Sequence, residues 1–405
     1  MEAPSSAWSS TKGPSTSPSA SISVCTERLQ LAYRREPMQW KLPLTALFAP
    51  IERAISSRWP IQVLFVVRGD PLDAPSSRYR VFQYLQDFDR NAISYRVVKP
   101  PRRKRVHCHL WIPWFWRTLF WGLRSRSIFI QKDIFWLPLW SFFKRLGKKV
   151  LYDFDDAVFA EQPGQVYNLP LERRPGWETV REMVRLSDVT MVANDYLAGF
   201  ARPHGANVMV VPMVLDLESY PVKTHGPAAK VVIGWIGSPQ TSGFLELVQV
   251  ALERLGERLG ERVEIRIVTN GEVALPHVPH TRMRWEAARE MSDLLSFDIG
   301  IVPLPETPFT LGKSSFKLLQ FMGCGLPVVC SRMGFNVEAI NDGENGFLAD
   351  SNEEWCEKLS LLVTHEEMRR AMGAQARRTV EERYSLQSQA PVVRQVVMPV
   401  DARPA

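Results

Sequence analysis

The stretch that decides the fold is "GKSSFKLLQFMGCGLPVVCS", Gly312 to Ser331. Phe316, Leu319 and Met322 recur at helical spacing, Gly323 or Gly325 stops the helix, and Pro327 bars its continuation before a buried apolar strand. A helix that hands over to a fully apolar strand is the repeating unit of a parallel sheet covered by helices. Lys313 and Lys317 stand where this helix begins, at the positive end of its dipole, a placement that asks for an anion.

The same alternation runs outward in both directions. Before it, the runs "IQVLFVVRGD" (61–70), "ISYRVV", "SIFIQ", "KVLYDFDD", "VTMVAN" and "NVMVVPM" read as strands, with "SRYRVFQYLQDF", "LWSFFKRLG", "ETVREMVRLS" and "DYLAGFARPHG" as helices between them. The pattern lapses at "DLESYPVKTHGPAAK", a linker by composition, and restarts with "VVIGWIGS", "VEIRIVTNG" and "DIGIVPL". "GENGFLAD", "NEEWCEKLSLLV" and the long helical "HEEMRRAMGAQARRTVEERYS" close it. The fold class expected is α/β: two Rossmann-like, doubly wound parallel-sheet domains facing across a cleft. The Ser/Thr/Pro-rich residues 1–45 are expected to be disordered. The N-terminal domain is assigned to 46–222, the C-terminal domain to 223–380, and 381–405 to a tail that returns to the N-terminal domain.

Bulk properties fit this division. A chain of 405 residues exceeds one hydrophobic core, and its 45% hydrophobic and 23% charged content is that of a globular protein. A net charge of +7 favours anionic partners without choosing among them. Cys25, Cys108, Cys324, Cys330 and Cys356 are scattered and odd in number, which points to reduced thiols rather than a disulfide framework or a zinc site. With no signal-like start and no run of roughly 20 apolar residues, the expected location is cytoplasmic, with contact at the inner face of a membrane left open.

Ligands in doubly wound sheets sit at the carboxyl ends of the strands. In "IGWIGSPQTSGF" a strand ends at Gly237, and Ser238, Thr241 and free backbone N–H groups face the gap, though a plain turn with an N-cap would read the same way. Lys313, Lys317 and Gln320 are spaced i, i+4 and i+7, hence on one face of a helix, and suit a diphosphate and a sugar hydroxyl; the alternative is a solvated lysine face. In "YDFDDAVF", Asp153, Asp155 and Asp156 must be solvated, paired with basic residues or on a metal, and one of them could bind or deprotonate an acceptor hydroxyl. Arg78 and Arg80 either meet an anion or pair with these carboxylates. "PPRRKRVHCHLWIPWFWRTLFWGLRSR", Pro100 to Arg126, sets Arg102–Arg105 before Trp111, Trp114, Trp116 and Trp121. That composition fits a surface resting on anionic lipid headgroups or, equally, a helix whose aromatics pack on the sheet. Nucleic acid is not expected as a partner.

From about Ile61 to Ser385 the chain resembles the family-4 (group 1) glycosyltransferases, retaining enzymes of the GT-B fold. The resemblance rests on "SSRYRVFQYL", "IFIQKD", "LYDFDDAVF", "IGWIGSPQT", "FDIGIVPLPETPFTLGKSSFKLLQFMGCGLPVVCS", "GENGFLAD", "EEW" and "ERYS". It implies a nucleotide-diphosphate sugar held in the C-terminal domain and a glycan or lipid-linked acceptor in the N-terminal domain. It implies no divalent metal and no cofactor beyond the donor, because lysines and helix dipoles stabilise the leaving diphosphate. By this resemblance Lys313, Lys317, Asp153, Asp155 and Asp156 are the catalytic candidates, and Gly237, Ser238, Thr241, Ser314, Ser315 and Gln320 bind the donor. Arg78 and Arg80 line the acceptor side. One departure stands out: the family carries two glutamates separated by seven residues, and here those places hold Gly312 and Gln320. The implied activity is hexosyl transfer in glycan, glycolipid or polysaccharide biosynthesis; the alternative is a catalytically degenerate sugar-nucleotide binder or scaffold.

Overall fold

The computed structural model describes residues 61–71, 74–99, 111–132, 136–160, 173, 176–224 and 230–398. The expectations for residues 1–45 and for Arg102–Arg105 lie outside these residues.

The first half runs β1 (Ile61–Val66), α1 (Pro75–Arg80), α2 (Leu85–Arg90), β2 (Tyr95–Val98), α3 (Trp111–Arg124), β3 (Ser125–Gln131), α4 (Leu137–Arg145), β4 (Lys149–Phe154), α5 (Trp177–Leu186), β5 (Val189–Val192), α6 (Asp195–Ala201) and β6 (Val208–Val210). Its six strands are all parallel, in the order β2-β1-β3-β4-β5-β6. The second half runs β7 (Val231–Ile236), α7 (Gln249–Leu259), β8 (Val263–Val268), β9 (His280–Met283), α8 (Glu290–Leu295), β10 (Ile299–Val302), α9 (Pro308–Leu311), α10 (Phe316–Gly323), β11 (Val328–Ser331), α11 (Phe335–Ala339), β12 (Phe347–Ala349), α12 (Asn352–Thr364), α13 (Glu366–Arg383) and α14 (Leu386–Val397). Its sheet, also parallel, is ordered β12-β11-β10-β7-β8-β9. Strand order reverses between β7 and β10, so the loops after those two strands part and leave a crevice at the carboxyl edge.

These strands form because their residues are apolar on both faces. β5, β7 and β10 are buried throughout, and each sheet carries a hydrophobic cluster on either side. α10 ends in a Schellman motif: Leu326 N–H donates to the Phe321 carbonyl at 3.1 Å and Gly325 N–H to the Met322 carbonyl at 2.9 Å. Gly325 adopts φ +72°, so of the two glycines it is the one whose lack of a Cβ the stop requires.

Two local features differ from the sequence reading. The helix expected over "SRYRVFQYLQDF" breaks at Val81 (φ −131°). The break lets Ser77 and Arg80 face the end of the sheet while Val81, Tyr84 and Phe88 enter the core. β9 is a short strand of half-buried and exposed residues at the sheet edge, which lacks the apolar signature of the others. After α13 the chain returns to the first domain. Leu215 pairs with Ser385 in an isolated bridge, and α14 lays Ala390, Val393, Val396 and Val397 into the core around Val63 and Phe65 of β1. Arg394 ion-pairs with Asp87 at 2.8 Å and Lys149 Nζ donates to the Met398 carbonyl at 2.8 Å, which fix this helix to the first domain.

The end of β4 is tied to α1 by a wholly buried ion pair. Arg80 Nε lies 3.1 and 3.2 Å from the two Asp153 carboxylate oxygens, and its Nη1 donates to the Val211 carbonyl. Removing one member of such a pair strands the other charge in a low dielectric. Arg80→Met is therefore expected to cost about 3–5 kcal/mol of unfolding free energy, and the double variant Arg80→Met/Asp153→Leu to recover most of it. Denaturant titration of the two variants measures both values; equal loss in both would assign the stabilisation to packing rather than charge.

Candidate active site

Between the carboxyl edges of the two sheets lies a cavity of about 270 Å³. Ser76, Tyr79, Asp155 and Asp156 line it from the first domain. Gly237, Ser238 and Thr241, then Lys313, Ser314, Ser315, Phe316 and Lys317 line it from the second. Gly237 is a glycine for steric reasons: a Cβ there would stand 2.4 Å from the Trp235 ring. Ser238 and Thr241 close the turn after β7, with Thr241 N–H donating to the Ser238 carbonyl at 3.0 Å and the two hydroxyls 3.3 Å apart.

The two lysines occupy different places. The helix begins at Phe316, capped by Ser315 in the left-handed region (φ +41°), so Lys313 belongs to the preceding loop and not to the helix face assigned to it. Its ammonium rests over the Phe309 ring at 4.5 Å. No carboxylate among the described residues comes within ion-pair distance of it. Lys317 is on the helix and already engaged, with Nζ 2.7 Å from Glu290 Oε1 and 2.7 Å from Gln320 Oε1. Gln320 corrects the sequence reading further: it is fully buried, does not line the cavity, and donates through Nε2 to the Tyr220 hydroxyl at 2.9 Å. Burial would raise the Glu290 carboxyl, but the Lys317 ammonium outweighs it and holds the group below its ordinary value of 4.5.

The three aspartates are likewise distinct. Asp153 is sealed against Arg80, which removes both residues from the cavity, so Arg80 does not present a charge to an acceptor. Arg78 donates from Nε to the Pro71 carbonyl at 2.9 Å and packs on Tyr79. Asp155 is buried against Lys132 at 2.7 Å, while Asp156, its side chain 35% exposed, meets the same ammonium at 2.6 Å. Lys132 stands in the "IFIQKD" run quoted for the resemblance but was given no role at the site. It sits at the end of β3 with φ +51°, and its Nζ also donates to Ser76 Oγ at 2.9 Å. Burial alone would lower the Lys132 ammonium; Asp155 and Asp156 raise it above its usual value instead. In turn, burial would raise Asp156, but Lys132 and Lys313 bring its carboxyl below 3.8. Among the described residues no group of three or more His, Cys, Asp or Glu is arranged to hold a metal ion.

The two domains touch beside the cavity. A Cβ on Gly312 would lie 2.5 Å from the Ala157 Cβ and 2.8 Å from its nitrogen, so the backbone of the second domain rests directly on that of the first. Asn194 Nδ2 donates to the carbonyls of Leu311 and Lys313, both at 3.0 Å, and Glu338 accepts from Asp195 N–H at 3.0 Å. Tyr79 packs on Phe316 with ring centroids 4.1 Å apart and ring planes tilted by 37°. A second, open depression of about 440 Å³, lined by Thr269, Asn270, Arg282 and Arg284, lies beyond the ends of β8 and β9.

Residues 315–379 match the family described as glycosyl transferases group 1. Over 71 residues the chain is 31% identical to spore coat protein SA of Bacillus subtilis (strain 168), an alignment that takes in 17% of this chain and only 19% of that protein. The solved structure of sucrose-phosphate synthase from Thermosynechococcus elongatus superposes with a TM-score of 0.63 at 12% identity, covering 84% of this chain and 98% of that one. Anabaena HepE, solved in complex with UDP and glucose, superposes with a TM-score of 0.57 at 14% identity, covering 83% and 99%. With two six-stranded parallel sheets and these neighbours, the chain has the GT-B fold, and the α10–α13 part of its second domain carries the sequence pattern of the group 1 glycosyl transferases.

Proposed function

We propose that the protein transfers a hexosyl group from a nucleotide-diphosphate sugar to an acceptor hydroxyl, with retention at the anomeric carbon and without a divalent metal. The observation that carries this reading is Lys313, a cation with no carboxylate within ion-pair distance among the described residues, on the wall of a cavity that Ser238, Thr241, Ser314 and Ser315 also line. Lys313, with the Lys317 ammonium behind it, would neutralise the departing diphosphate where its charge develops. Asp156 stays a carboxylate at neutral pH and would accept a hydrogen bond from a hydroxyl of the acceptor or the transferred sugar. Lys132 and Ser76 would hold it in place. Lys132 stands between Asp155 and Asp156, so the counter-charge to these carboxylates comes from a side chain, in keeping with the metal-free reading. Retention, a nucleotide-linked donor and a glycan or lipid-linked acceptor follow the resemblance to group 1 enzymes. HepE, with UDP and glucose bound, adds weight to a uridine nucleotide.

One observation favours a second reading, a sugar-nucleotide binder without turnover. The place where family members carry the first glutamate is Gly312, packed on Ala157 with no room for a side chain. The two readings separate by product formation. The panel of UDP-, GDP-, ADP- and dTDP-sugars is run with and without EDTA, scoring nucleotide release and thermal shift together. Transfer requires EDTA-resistant release of nucleotide with one donor, whereas a binder shifts the melting temperature and releases nothing. Under either reading Lys313→Ala is expected to weaken donor binding by about tenfold to a hundredfold, the loss of one charge-assisted contact. Undiminished affinity in that variant would remove Lys313 from the site.

Protonation supplies an independent check on the electrostatics. Asp156 and Glu290 both titrate below their unfolded values, so each contributes stability that is complete above about pH 4–5 and is lost as pH falls through the folded-state values. The melting temperature should hold through pH 5–6 and decline toward about pH 3, and Glu290→Gln should flatten part of that decline. An unchanged acid limb in Glu290→Gln would mean that the Lys317 pair contributes nothing to folding.

A further inference from the structure

α3 is packed on one side only. Trp114 and Leu123 are buried against the first sheet, with Phe115, Leu119 and Trp121 half-buried beside them. Ile112, Trp116 and Phe120, spaced i, i+4 and i+8, form a stripe down the opposite face, 58%, 61% and 47% exposed, next to exposed Pro113. Among the described residues these are the two aromatic side chains left so open to water, and they stand one turn apart on one helix. Isolated exposed apolar residues are ordinary on a protein surface; an aligned aromatic stripe is not.

The charged side chains described beside the stripe on α3 and β2 are arginines. Arg117 is exposed beside Trp116, the Arg124 guanidinium lies over the Phe120 ring at 5.4 Å, and Arg96 of β2 lies over the Trp121 ring at 5.1 Å. No Asp or Glu occurs anywhere from Asn91 to Gln131. An apolar and aromatic ridge flanked by arginines matches the boundary of an anionic bilayer, where tryptophan sits at headgroup level and arginine meets lipid phosphate. It matches nucleic acid less well, because Ile112 and Pro113 at the head of the ridge offer nothing to stack on a base. No helix among the described residues is long and apolar enough to cross a membrane, so such contact would be made along the surface.

We propose that the outer face of α3, through Ile112, Trp116 and Phe120 with Arg117 and Arg124, docks the protein on an anionic lipid surface. The position of the helix gives this contact a consequence. α3 leads into β3, so it runs back along the sheet and its first turn, with Ile112, lies at the carboxyl edge, the edge on which Asp156 and the cavity also lie. A docked protein would hold that edge near the headgroups.

The test is co-sedimentation of the full chain with vesicles of phosphatidylcholine alone and with phosphatidylserine added, read without donor so that it stands apart from the transfer reaction. The expected result is binding that requires the anionic lipid and falls by roughly tenfold or more in Trp116→Ser/Phe120→Ser and, separately, in Arg117→Gln/Arg124→Gln. Unchanged thermal melting of the first pair establishes that the fold is intact, since both side chains are exposed. Equal binding by wild type and both pairs, or none by wild type, overturns the proposal. A wild-type dimer that Trp116→Ser/Phe120→Ser dissociates overturns it in favour of a second copy of the chain on this face. Tighter retention on single-stranded RNA than on anionic vesicles overturns it in favour of a nucleic acid.

Discussion

A carboxylate taken out of water costs several kcal/mol unless a counter-charge meets it in good geometry, and β4 delivers three of them to one end of a buried sheet. The first domain is arranged around that constraint. Arg80 reaches from α1 to Asp153, and Lys132 arrives from β3 to stand between Asp155 and Asp156. Lys132 does so in a backbone conformation that residues with a Cβ seldom adopt, held there by its N–H bond to the Asp153 carbonyl at 2.8 Å. Once these pairs are made, one partly exposed carboxylate, Asp156, remains on the first domain's side of the cavity, and Lys313, in no ion pair among the described residues, lines it from the second. The site's polarity is thus what is left over when the fold has balanced its own charges.

The lysine is placed by both domains. Lys313 belongs by sequence to the loop before α10, yet Asn194 of the first domain holds its carbonyl, and Gly312 just before it rests on Ala157. The two walls of the cavity therefore share one interdomain contact, so a shift of either domain at this contact moves Lys313.

Much of the architecture was legible in the sequence because a parallel strand buried on both faces reads as an unbroken apolar run. β1, β4, β7 and β10 have no other interpretation beside their turn residues. β9 lacked that signature, since an edge strand with exposed Thr281 and Arg282 looks like a loop. At the site, residue types were easier to read than their partners. The i, i+4, i+7 spacing of Lys313, Lys317 and Gln320 suggested one helical face, but the left-handed Ser315 starts the helix after Lys313, and no spacing rule announces that. Gln320 finds Tyr220 a hundred residues away in sequence, a contact only the folded linker creates. Lys132 was given no role for the same reason: its importance lies entirely in what converges on it. The tryptophans fitted a lipid-facing surface and a packed helix equally because they occupy two faces, Trp114 packing inward and Trp116 outward.

α14 bears on how the molecule is made. Its four apolar residues complete the core around β1, so the domain that leaves the ribosome first lacks a wall until the last residues of the described chain have been synthesised. Domains ordinarily fold in order of emergence, and here the core of the first is completed by residues synthesised after those of the second. The second domain has every strand of its sheet as soon as β12 is translated, while the first must wait, its apolar surface at α2 and β1 uncovered for the duration. Nascent-chain length, more than sequence composition, sets the interval in which this protein is vulnerable to aggregation.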